Sequence, residues 1–336
     1  MSPDQDTRLE GQAWLFPGHG VQYVGMGREL LEQWPRAREL LARAEALSGL
    51  PVRRLCQRGP AQQLRRPEVL EPVLAALSLA HADRVRALLG PPRYVAGYSA
   101  GELVALCCAG VLSEEEALWL AVLRGRILQP VSESLEGRMV SISGLALSVL
   151  EGLVARVGQP ESLALAGRNA PDHGTISGRP ELVRQVESLA LILGAQVSEV
   201  DAPGSWHCPL VAHVVPWVLA ELGEFRLLPP RLPFFSSVTG RLESEPQRLR
   251  VLLAGQIARE VMWLPIIEEL LGRVRTLVEV GPGHFLTGMA RSTARLSRRH
   301  ELRAVERPGG RLWPPAARRE PRAGRPLSHL EGVHHG

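Results

Sequence analysis

The segment Gly97-Tyr98-Ser99-Ala100-Gly101 constrains this chain more than any other, because it joins a short strand-like run, Arg93 to Ala96, to a helix-like run from Glu102 to Val111. A serine on so sharp a strand-to-helix turn carries its hydroxyl clear of neighbouring side chains, and the flanking glycines let the backbone close without Cβ clashes. The amide after such a serine points from a helix N-terminus, where partial positive charge can hold a developing oxyanion. The segment reads as a nucleophile elbow, and an elbow requires a strand and a helix packed in layers.

The rest of the chain supplies those layers. Short apolar runs at Ala13 to Phe16, Tyr94 to Ala96, Phe234 to Ser237 and Thr276 to Val280 alternate with amphipathic helical runs, which predicts an α/β body. Helices are expected over Gly27 to Leu47, Val69 to Leu89, Glu102 to Ala109, Ser113 to Gln129, Pro209 to Leu222 and Gln247 to Glu260. Between Gly137 and Asp201 the order changes to strand, helix, strand, strand, helix, strand, a βαββαβ ferredoxin-like unit. The expected organisation is a discontinuous large α/β-hydrolase-like subdomain (1–136 and 202–302) with a small ferredoxin-like subdomain (137–201) inserted. An insertion of that kind walls a cleft, a usual place for a ligand.

At 336 residues, 45% hydrophobic and 22% charged, the chain can bury a full core of this size. It has no uncharged apolar run of about 18 residues, and its first residues, Met1-Ser2-Pro3-Asp4-Gln5-Asp6, are polar, so no membrane span or signal peptide is expected and the expected location is cytoplasmic. The cysteines Cys56, Cys107, Cys108 and Cys208 lack C-x-x-C spacing and are expected as free thiols. No H-E-x-x-H or H-x-x-E-H spacing occurs, so no metal site is expected.

The net charge of +4 does not point to nucleic acid or membrane. Residues 303–336 hold seven arginines and three glutamates, which accounts for the whole excess and leaves 32 charges of each sign elsewhere. That Arg/Pro-rich stretch lacks apolar periodicity and is expected to be a disordered tail.

A serine nucleophile needs a base. His207 stands where the inserted unit returns to the body and a helix begins, so it would face the cleft; a neutral imidazole there can take the serine proton and return it to a leaving thiol.

Several further segments stand in register over about residues 13 to 290: Phe16-Pro17-Gly18-His19-Gly20-Val21-Gln22, Ser99 with Gly97, Gly101 and Glu102, Arg124-Gly125-Arg126, Asn169-Ala170-Pro171 with Ile176-Ser177-Gly178, His207, Gln256 ahead of Trp263, and Glu279-Val280-Gly281-Pro282-Gly283 continuing to Leu286-Thr287-Gly288. Together they resemble the malonyl-CoA:acyl carrier protein transacylases and the related acyltransferase domains of polyketide synthases, the first segment being similar to that family's F-P-G-Q-G-x-Q and the second to its G-H-S-x-G-E.

The resemblance implies an acyl-carrier-protein S-malonyltransferase with ping-pong kinetics, in fatty-acid or polyketide synthesis. Ser99, activated by His207, would take a malonyl group from malonyl-CoA and pass it to the phosphopantetheine thiol of an acyl carrier protein. It further implies an oxyanion hole from the backbone amides of His19 and Ala100, and substrate contacts from Arg124, Trp206, Tyr98 and Asn169. The main-chain carbonyl of Gln256 would orient His207 in place of a triad carboxylate, which leaves Asp201 a structural or solvated residue. No bound cofactor is implied beyond the coenzyme A thioester as substrate, and a monomer is expected. Arg124 would hold the free malonyl carboxylate by a planar fork that lysine does not reproduce.

Two departures stand out: Tyr98 where the family carries histidine, and His19 where it carries glutamine. The G-Y-S-x-G-E form also resembles the acyltransferase subunit of malonate decarboxylases, and a trans-acting acyl hydrolase would use the same Ser99 and His207 with water as acceptor.

Overall fold

Five parallel strands meet at the centre of the computed structural model, which describes residues 9–293, 295–307 and 311–313. In chain order the strands are β1 (Gln12–Phe16), β2 (Tyr94–Gly97), β3 (Arg138–Ser143), β4 (Leu163–Ala170), β5 (His173–Gly178), β6 (Gln196–Glu199), β7 (Phe234–Ser236), β8 (Arg241–Glu243), β9 (Thr276–Glu279) and β10 (Glu301–Ala304). The main sheet runs β10-β9-β1-β2-β7-β8, with β8 antiparallel at one edge.

β1 is buried along its whole length, as a central parallel strand covered on both faces must be. Its alternate side chains serve two cores: Trp14 and Phe16 pack with the helix Pro67–Leu89, and Ala13 and Leu15 pack with Trp263 and Ile266 on the other face. Phe16 pairs with Gly97, so β1 and β2 end level with each other. The loop carrying His19 and the elbow carrying Ser99 therefore leave the same end of the sheet side by side, at the C-terminal strand ends where such sheets bind ligands.

β3 to β6 form a separate four-stranded sheet, order β4-β5-β3-β6, antiparallel throughout and covered by the helices Leu147–Val157 and Pro180–Ile192. This is the ferredoxin-like arrangement that the element order predicts. β4 is joined to the body through Val261, whose N–H donates to the Ala166 carbonyl and whose carbonyl accepts from the Arg168 N–H, both at 2.9 Å.

Two expectations are corrected. The single helix expected from Gly27 to Leu47 is two, Arg28–Gln33 and Pro35–Ser48, because Pro35 disfavours helical geometry at Trp34 and opens a new helix itself. The disordered tail expected from residue 303 also begins too early. β10 spans that boundary, and β11 (Glu306–Arg307) pairs antiparallel with β12 (Arg311–Leu312). Glu306 anchors this hairpin in the body: it accepts from Tyr23 and from the Gly27 amide at 2.8 Å, and lies 2.9 Å from His81 Nε2. Composition weighs the abundant arginines and prolines and is blind to one buried carboxylate. The remainder of the expected tail, 314–336, lies outside the described residues.

Candidate active site

Ser99 holds φ +53°, a left-handed conformation uncommon outside glycine and typical of residues that the fold over-determines at functional sites. Gly101 permits the turn: a Cβ there would lie 2.2 Å from the Phe16 carbonyl oxygen of β1. The Ser99 Oγ stands 2.7 Å from His207 Nε2. His207 also has positive φ, +59°, and its own N–H donates to the Ile257 carbonyl at 2.6 Å. Its Nδ1 lies 3.0 Å from the carbonyl oxygens of both Gln256 and Arg259. Two carbonyl acceptors require a proton on Nδ1, which leaves Nε2 as the acceptor facing serine. Burial first, and then the nearby Arg124 charge, push His207 down to about 4, so the imidazole is neutral at ordinary pH. Asp201 pairs instead with Arg65 and Gln22 and takes no part in this contact.

The Gln256 carbonyl is fixed from behind. The Gln256 side-chain amide donates to Glu102, which also accepts from Ser237 Oγ at 2.7 Å. Glu102 sits in the first turn of the helix Gly101–Cys108 that follows Ser99, so one buried carboxylate joins the elbow to the loop that orients His207. Neither this role nor the Arg259 acceptor is visible in sequence, where Glu102 is marked as the last residue of the elbow motif and as a carboxylate in an otherwise apolar helix.

A cavity of about 180 Å³ opens above the pair. His19, Tyr98 and Trp206 line it from the body, and Met139, Ser141 and Thr175 from the small sheet. Tyr98 donates to Asn169 Oδ1 at 2.9 Å, and Asn169 Nδ2 donates to Thr175 Oγ1 at 2.9 Å. Its ring packs edge-on against Trp263 and Phe285, and burial raises its phenol, which stays a neutral donor. Asn169, expected among the substrate contacts, stands behind Tyr98 and Thr175 and does not line the cavity.

Arg124 is also set back from that wall. It is buried on the helix Glu114–Ser134 and borders a separate pocket with Leu103, Leu120 and Ile127. Its Nε lies 3.6 Å from Glu71 Oε1, and the same oxygen is 3.1 Å from His19 Nε2. The sequence signals Glu71 only as a carboxylate inside the apolar run Val69 to Leu74, the sign of a buried ion pair. Among the described residues no cluster of His, Cys, Asp or Glu is placed to hold a metal ion, and no helix is long and apolar enough to cross a membrane.

A buried serine on an elbow, facing an imidazole whose proton is held on the far nitrogen, is equipped to attack a thioester or ester carbonyl. The family model described as the acyl transferase domain matches residues 13–289. The chain belongs to the acyl transferase domain family. This acyl transferase is 30% identical over 285 residues to the malonyl CoA-acyl carrier protein transacylase of Escherichia coli K12, a match covering 83% of this chain and 91% of the relative. Its fold is similar to the acyl carrier protein S-malonyltransferase of Vibrio cholerae, with a TM-score of 0.81 and 29% identity over 90% of this chain and 98% of that one. It is also similar to a malonyl-transacylase solved in complex with a type II polyketide synthase acyl carrier protein, with a TM-score of 0.82 and 27% identity over 90% and 97% of the two chains.

Proposed function

We propose that this acyltransferase moves a malonyl group from malonyl-CoA, through an acyl-Ser99 intermediate, to the phosphopantetheine thiol of an acyl carrier protein. The observation that carries the reading is the 2.7 Å contact between Ser99 and an Nδ1-protonated His207, in a chain whose relatives are named as malonyl transacylases.

In the first half-reaction Ser99 Oγ attacks the thioester carbonyl as its proton passes to His207 Nε2. The backbone amides of His19 and Ala100 receive the developing oxyanion, and collapse breaks the C–S bond as His207 returns the proton to the departing CoA sulfur. In the second half the carrier thiol gives its proton to His207, attacks the acyl-serine and regenerates the Ser99 hydroxyl. Coenzyme A leaves before the carrier enters, so the kinetics are ping-pong. Arg124 selects the malonyl carboxylate, Trp206 bounds the space beside its α-carbon, and Asn169 acts through Tyr98 as a positioning residue. The chemistry needs no cofactor beyond the CoA thioester, and a cytoplasmic location suits these substrates.

Intact mass after incubation with malonyl-, methylmalonyl- and acetyl-CoA tests the reading. Acyl adducts are expected that persist in buffer and discharge on addition of a holo acyl carrier protein. Adducts that decay to free acid at the same rate with and without the carrier would make the protein an acyl hydrolase instead.

A further inference from the structure

We propose that Glu71 sets the acyl preference of this site, by holding Arg124 in a neutral pair with which a substrate carboxylate must compete. The inference rests on the proposed acylation of Ser99.

Glu71 is 2% exposed and lies between Arg124 and His19, within ion-pair distance of both. The contact depends on a close crossing of two helices. A Cβ on Gly125 would lie 2.7 Å from the Pro67 carbonyl oxygen and 2.8 Å from the Glu68 Cα, so a glycine beside Arg124 brings the helix bearing Glu71 within reach. Burial would raise the Glu71 carboxyl, but Arg124 and His19 outweigh it and hold it below the ordinary carboxylate range.

The guanidinium and carboxylate charges therefore cancel before any substrate arrives. Neither Glu71 oxygen makes an aligned hydrogen bond, and Arg124 Nη1 is buried without a partner, so the cluster retains donor capacity for an incoming anion. A malonyl carboxylate entering here meets a compensated cation. An acetyl group, which brings no charge, leaves no arginine uncompensated and so loses less than it would beside a bare guanidinium. Glu71 in this way narrows the difference between malonyl and neutral acyl groups and gives the enzyme a broader acyl range than Arg124 alone would allow.

The test is the ratio of Ser99 acylation rates with malonyl-CoA and acetyl-CoA in wild type, Glu71→Gln and Glu71→Asp. Glu71→Gln is expected to raise the malonyl-to-acetyl ratio about tenfold or more. Glu71→Asp, which withdraws the charge by one methylene, is expected to shift it in the same direction by less and serves if the glutamine variant does not fold. A purely structural role would slow both acylations together, and an unchanged or lower ratio overturns the proposal. Wild type that forms no adduct with either thioester would overturn the acyl-Ser99 reading as well; an acylated wild type whose variants keep its ratio overturns only the role of Glu71.

Discussion

His207 presents Nε2 to the Ser99 hydroxyl at 2.7 Å while its Nδ1 is shared between the main-chain carbonyls of Gln256 and Arg259 at 3.0 Å each. Neutral carbonyls fix the tautomer as a carboxylate would, yet they stabilise an imidazolium less. With burial and Arg124 acting in the same direction, the imidazole is kept neutral and able to accept a proton.

This gives a pH prediction. The folded-state value for His207 is lowered to about 4 from an ordinary 6.5, so between those values the unfolded chain binds a proton that the folded chain does not. Falling pH across that window removes stability contributed by this group. As the proposed base, His207 is expected to fail only as pH drops through about 4. Single-turnover acylation of Ser99 is expected to be level from pH 5 to 8 (about one unit above the midpoint and beyond) and to fall near pH 4. A midpoint at 6.5 would show that burial does not govern the base. His207→Ala is expected to slow acylation by about 10²- to 10⁴-fold.

Arg124→Ala separates the charged substrate from the neutral one. Malonyl loading is expected to drop by about a hundredfold or more, while acetyl loading holds or rises. Competition between malonyl- and acetyl-CoA, read by intact mass, checks this, and equal loss of both would deny Arg124 a carboxylate role.

Trp206 is buried, borders the cavity and packs in the same cluster as Met139, Leu128 and Val131. In the proposed function its bulk limits the room for an α-branch. Trp206→Ser is expected to raise the methylmalonyl-to-malonyl acylation ratio by about tenfold, the scale of a few added methyl contacts. An unmoved ratio would locate α-carbon selectivity elsewhere.

Tyr98→Phe removes the donor to Asn169 Oδ1 and leaves that buried acceptor unpaired. A loss of about 1–3 kcal/mol is expected in denaturant unfolding. Full stability in the variant would mean that the Tyr98 hydroxyl does not hold this wall of the cavity.

Much of this site was legible because its chemistry is contiguous: Gly97 to Gly101 is strand, turn and helix start in one run, and His207 marks the exit from the inserted sheet. The interior strands were equally plain, since β1, β2, β7 and β9 are short apolar runs. The edge strands β8 and β10 escaped notice because Arg241-Leu242-Glu243 and Glu301-Leu302-Arg303-Ala304 are short and charged, as edges facing solvent are. The roles of Glu71, Glu102 and Glu306 are illegible in the sequence for another reason. Each acts through a partner far along the chain, Arg124, Gln256 and His81, and only packing brings those pairs together. Tyr98, a departure from the family motif in sequence, is accounted for by its hydrogen bond to Asn169 and its edge-on packing against Trp263.

The central claim is that Ser99 carries the acyl group. Peptide mapping after a brief incubation with malonyl-CoA is expected to find malonate on the peptide bearing Ser99 in wild type and none in Ser99→Ala, with the wild-type label lost when a holo acyl carrier protein is added. Malonate retained in Ser99→Ala, or transfer to the carrier at an undiminished rate in that variant, would contradict the account.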